Sequence, residues 1–153
     1  MTVFVWTIDI GNFELALKIG QYAIAHQLTM PDHYQRDVPC VLAEEIADYA
    51  LKQDEAILVN LQPCIALTIV LTDGCDMPDE VRAKLLKADG YALRCAGVAL
   101  GDIEIMTKAR DALARALQLH SKVGVKKDIE RLDTLIKNSA TSETGDAAGN
   151  SPG

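Results

Sequence analysis

Aromatic side chains are scarce: one Trp, two Phe and four Tyr stand among 153 residues. Proteins that hold single-stranded nucleic acid stack its bases on aromatic rings, so that mode is disfavoured here. Histidine is equally thin, with His26, His33 and His120 far apart, and Cys40, Cys64, Cys75 and Cys95 are separated by 24, 11 and 20 positions. No pair has the close spacing of a zinc site or a redox dithiol. A Cys/His metal centre is therefore not expected, and the four thiols are expected to be reduced and packed as small hydrophobes. No basic residue precedes the short apolar run Val3 to Trp6, which argues against a secretory signal. The longest apolar-rich stretch, Ala56 to Leu71, is broken by Asn60, Gln62 and Pro63 and falls short of the roughly 20 apolar residues of a spanning helix. No membrane segment is expected, and the chain is assigned to a cytoplasm. With no Walker sequence and no phosphate-cradling glycine-rich loop, ATP hydrolysis is not expected either.

What remains is a composition of ordinary globular type, 49% hydrophobic and 24% charged, in a chain long enough for one domain with a real core. The formal charge of −7 opposes binding to a polyanion, because DNA is held by neutralising its phosphates with Lys and Arg.

Gly and Pro are rare inside the periodic segments, and no run of alternating β-branched residues appears, so the fold class is all-α. Val3 to Ile8 reads as the end of a helix, broken at Gly11. Asn12 caps the next, in which Phe13, Leu17, Gly20 and Ile24 recur at helical spacing as far as His26. Leu28 to Val38 suits a loop. Pro39 sits in the first turn of a helix with Leu42, Ile46 and Ala50 on its buried stripe. A third helix is placed from Pro63 to about Thr72, since proline is best tolerated at a helix start. A fourth has Asp76 as cap, Pro78 in its first turn and Gly97 as its stop. Asp102 opens a fifth, carrying Ile105, Ala109, Leu113 and Ala116. A sixth follows Gly124, with Ile129, Leu132 and Ile136. The expectation is about six helices in antiparallel hairpins over residues 1–137, followed by a disordered tail at 138–153 with no large apolar residue beyond Asn138 to offset its ordering entropy.

Small residues at fixed positions in paired helices let the helices approach closely, as in tetratricopeptide-type repeats. Gly11, Ala16 and Ala23 stand 5 and 7 apart, as in that repeat, and Ala109, Leu113 and Ala116 resemble its second helix. Alanines packed wherever helices meet explain the same pattern. A tetratricopeptide-like bundle presenting a binding surface is the resulting expectation.

Several longer motifs occur in order: Val5 to Asn12 (VWTIDIGN), Ala16 to Ile19 (ALKI), Leu28 to Pro31 (LTMP), Ala43 to Ala47 (AEEIA), Asp76 to Leu85 (DMPDEVRAKL) and Gly124 to Leu132 (GVKKDIERL). Together they resemble the phage terminase endonuclease, or small, subunit of the GpM type. The resemblance implies a role in viral genome packaging: recognising and cutting concatemeric double-stranded DNA in the bacterial host cytoplasm, as a homo-oligomer and together with the large, ATP-hydrolysing terminase subunit. It also implies a further basic helical region ahead of the Trp6 segment and a basic tail, whereas this sequence begins near Trp6 and ends in a neutral-to-acidic run.

Phosphodiester cleavage with Mg2+ needs two or three converging carboxylates. Glu44, Glu45 and Asp48 share one helix, with Glu44 and Asp48 one turn apart, and Asp76, Asp79 and Glu80 cluster at the start of another. The first group equally suits a solvated face, the second an ordinary helix N-terminus. No cofactor is evident, and Mg2+ enters only if the chain is nucleolytic. For DNA the candidates are Arg82, Lys84 and Lys87 on the fourth helix and Lys126, Lys127 and Arg131 on the sixth; interleaved acids make surface ion pairing the competing account.

Overall fold

A computed structural model describes residues 1–146, and among them the chain forms seven α-helices and no strand. They are α1 (Thr2–Asp9), α2 (Phe13–Ala25), α3 (Val38–Ala50), α4 (Glu55–Thr72), α5 (Asp79–Leu100), α6 (Ile103–Leu119) and α7 (Lys126–Asp146). Four of them open on the same device, a short polar side chain accepting from a first-turn amide: Asn12 from Leu15 N, Asp37 from Cys40 N, Asp54 from Ile57 N and Asp102 from Ile105 N. Each satisfies one of the donors that a helix start leaves without an intrahelical partner.

The all-α expectation holds, and the boundaries differ in instructive places. The apolar piece at the N-terminus is a helix of its own, which raises the count from six to seven. Helix α4 begins at Glu55, behind its Asp54 cap, and not at Pro63, which lies inside it. The Pro63 ring is exposed, and the turn ahead of it is held by the Asp54 cap and by buried Leu58, so the one lost backbone bond is tolerated. By length and composition α4 could cross a membrane; here its Leu58, Ile65, Thr68 and Thr72 face is buried against neighbouring helices. Asp76 does not cap α5, which starts behind Pro78 without a side-chain cap. Nor is Gly97 its stop. The helix runs on to Gly101, whose φ of 65° forms the left-handed C-cap, while Gly97 lets α6 come close: a Cβ at 97 would stand 2.9 Å from the Met106 backbone nitrogen. Helix α7 continues through Asp146, so residues 138–146 of the expected tail are helical, extended along the chain by Thr141 and Ser142 hydroxyls on the carbonyls of Lys137 and Asn138. Residues 147–153 of that tail lie outside the described residues.

Two apolar cores result. The first gathers Phe4, Leu17, Leu42, Ile46, Ile65 and Leu85 from α1 to α5. The second, smaller one joins Met106, Leu113, Val125 and Leu132 from α6, the following turn and α7. Tyr91 of α5 packs against both. Ala16, Ala23, Ala109 and Ala116 are all buried, as close helix pairing requires, although helix lengths from 8 to 22 residues show no fixed repeat period among the described residues.

Candidate functional site

The carboxylates singled out from sequence do not converge. Glu44 accepts from Arg36 Nη1 at 2.7 Å, and Asp48 is ion-paired with Lys84 of α5. Among the described residues Glu45 has no such partner; partial burial, with Asp48, Glu44 and Asp9 nearby, pushes its carboxyl above the usual range. Asp76 sits exposed in the turn before α5 and lines a cleft with Asp37 and with Arg36, the partner of Glu44, while Asp79 and Glu80 occupy the exposed first turn of α5, where acids favour the helix dipole, Glu80 on the cleft that Lys84 also lines. Among the described residues no group of three or more His, Cys, Asp or Glu side chains could hold a metal ion.

The basic candidates divide more sharply. Arg82 is structural: its Nη2 donates to the carbonyls of Cys75 (2.8 Å) and Thr72 (3.4 Å), fastening the end of α4 to the start of α5. The other five gather at one corner. Lys84 and Lys87 of α5 line a small cleft of about 180 Å3 together with His120 and Lys122 of the α6–α7 turn. Lys122 also lines the adjoining cleft of about 470 Å3, with Ser121, Lys126, Lys127 and Arg131. The turn residues His120, Ser121 and Lys122 were missed from sequence, although the density of Lys between 122 and 127 was the signal available. What sequence could not supply was that α5 and α7 meet there.

The corner is held by a network around Asp128, whose side chain is largely buried. Its carboxylate accepts from Tyr91 Oη at 2.9 Å and from Arg94 Nη1 at 3.1 Å, and Arg131 stands 3.8 Å away. Burial and the neighbouring Asp128 push the Tyr91 hydroxyl up to about 12. Lys87 donates to the Val123 carbonyl at 3.0 Å with its ammonium over the Tyr91 ring. Asp128 is thus spent inside the corner. Lys122, Lys126 and Lys127 face solvent with no carboxylate in ion-pairing range among the described residues. Lys126 and Lys127 also occupy the first turn of α7, the positive end of the helix dipole, where lysine is unfavourable for folding. Such an arrangement is suited to holding anions.

A family model described as phage small terminase subunit matches residues 1–80, just over half of the chain. The chain is 42% identical over 137 residues to the terminase, endonuclease subunit, of Escherichia phage P2, covering 90% of this chain and 53% of that protein. It is 28% identical over 149 residues to the probable terminase, endonuclease subunit, of Haemophilus phage HP1 (strain HP1c1), covering 93% of this chain and 52% of that protein. The chain thus spans about half the length of these relatives. No solved structure matches it significantly. On the family match, the chain belongs to the phage small terminase subunit family.

Proposed function

We propose that this helical chain serves phage DNA packaging as a recognition and docking component. In this reading it acts in the host cytoplasm with a large, ATP-hydrolysing terminase subunit and does not itself supply the carboxylates that cut. Membership of the family supports the packaging role. One observation carries the division of labour: Glu44 and Asp48 are committed to ion pairs, Asp76, Asp79 and Glu80 lie exposed around the start of α5, and among the described residues no group of three or more His, Cys, Asp or Glu side chains could hold a metal ion. Two-metal or one-metal hydrolysis needs such groups within reach of one ion. A protein-facing role is supported by the apolar side chains left in solvent: Trp6 is 69% exposed, Ile10 76% and Val70 70%. These exposed faces also suit self-association into a homo-oligomer.

The naming of the relatives as endonuclease subunits favours a second reading, in which the chain cleaves DNA with Mg2+. The purified chain is therefore tested for Mg2+-dependent nicking of duplex DNA and for capture of the large subunit. The expected outcome is capture without nicking. Nicking that disappears in Glu44→Ala or Asp76→Ala, with the fold intact by circular dichroism, would establish the second reading instead.

A further inference from the structure

We infer that the corner formed by α5, the α6–α7 turn and the start of α7 is a clamp for the backbone phosphates of duplex DNA that does not read base sequence. The inference rests on the packaging role proposed above and names the ligand and the residues.

Charge comes first. The larger cleft is lined by Lys122, Lys126, Lys127 and Arg131, and its one acid, Asp128, is already bonded to Tyr91 and Arg94. Next to it stand Lys84, paired with Asp48, and Lys87, with Glu80 and Glu130 as the other acids at the rim. The balance is positive in a chain whose formal charge is −7. A polyanion repelled by the overall charge of the chain is favoured at this corner.

Folding does not account for these lysines, since two of them oppose the dipole of the helix they begin. The functional groups then define the ligand. Ammonium, guanidinium and the Ser121 hydroxyl are the groups that bind phosphate oxygens. Asn and Gln, which read adenine, are absent from the linings of both clefts; of the rings nearby, Tyr91 is occupied by Lys87 and Arg94, and the lone imidazole of His120 is too little to stack successive bases. No platform for unstacked bases is present there. Hence duplex over single strand; since Lys and Arg also bond guanine O6 and N7, comparison of duplexes of unrelated sequence tests phosphate against base.

The test is fluorescence anisotropy of the full chain with a short labelled duplex of arbitrary sequence. With about four phosphate contacts, affinity should fall roughly a hundredfold between about 50 and about 200 mM salt. Lys126→Glu with Lys127→Glu should weaken binding more than about tenfold and lower the salt slope by about two, whereas Lys127→Arg keeps it. Lys18→Glu and Lys108→Glu, on exposed single-helix pairs of α2 and α6, should leave it unchanged. A second duplex of unrelated sequence should bind equally. Failure to bind any duplex at low salt, a double variant that binds like the parent, or strong discrimination between sequences would each overturn the inference. So would loss of large-subunit capture in the double variant with duplex binding intact, which makes the corner a protein interface. Duplex binding without large-subunit capture would instead overturn the docking role and leave the clamp standing.

Discussion

The two cores are built by different means. The first buries a long series of large apolar side chains from five helices, and its polar contacts are mostly helix caps and peripheral ion pairs. The second has only five buried residues among those described, three of them the large fully buried side chains Leu113, Leu132 and Val125, and it is completed by the Asp128 network that ties α7 to α5. Where buried apolar area is small, placement falls to charge-assisted bonds, and those need cations and acids in quantity. The cations left over from that construction are the ones that face solvent. The family model covers α1 to α4 and the opening of α5, so the match belongs to the first core, and the basic corner lies beyond it.

The contrast can be broken most severely at the glycines. At Gly97 an added Cβ meets the Met106 backbone nitrogen at 2.9 Å, and backbone cannot step aside; at Gly20 it meets the Leu42 side-chain tip at 3.1 Å, which can. Gly97→Ala should cost about 2–3 kcal/mol by overpacking, and Gly20→Ala should lie within about 1 kcal/mol of neutral, since the helix gains from alanine what packing loses. Urea denaturation of both variants measures the difference, and equal costs would mean that α5 and α6 pack no more tightly at Gly97 than α2 and α3 do at Gly20. A smaller effect separates the cores by pH. Tyr91 is pushed from 10 to about 12 in the folded state, so its contribution is fully present below pH 10 and is lost as pH rises towards 12. Thermal melts should show that alkaline loss in the parent and a flatter profile in Tyr91→Phe; identical slopes would dissociate Tyr91 from the second core's stability. The smallest effect belongs to the first core. Burial between α4 and α5 raises the Asp89 carboxyl above its usual 3.8, against the lowering bond from Gln62 Nε2 at 3.1 Å. A raised carboxyl means that stability increases as pH falls through the raised value towards 3.8. Asp89→Asn should therefore be more stable than the parent at neutral pH, by about 1 kcal/mol at most, with the advantage closing as pH is lowered. A destabilised variant would show that the carboxylate is needed in its charged form.

Most of the fold was legible because helix starts are written locally. Asn12 and Asp102 cap where the polar residue precedes an apolar period, and Pro39 falls in a first turn as its missing amide permits. Several of the misreadings involve residues whose role depends on a partner outside their own turn of helix. Pro63 looks like a start until the turn before it is seen to be anchored; Gly97 looks like a stop until α6 is laid against it. Arg82 looks like a phosphate ligand until the carbonyls of Thr72 and Cys75 are found within its reach. The acids at 44, 45 and 48 look like a cluster until Arg36 and Lys84 arrive from other segments.

By itself the sequence determined the helical class, the family and the small-residue positions at which helices could meet, because caps, periodicity and ordered motifs act over a few residues at a time. Only the tertiary structure decided which charges are neutralised and which stay free. Ion pairing falls off within a few ångströms, and the partners of Lys84, Arg94 and Asp128 are brought into that range by packing between helices far apart in the chain.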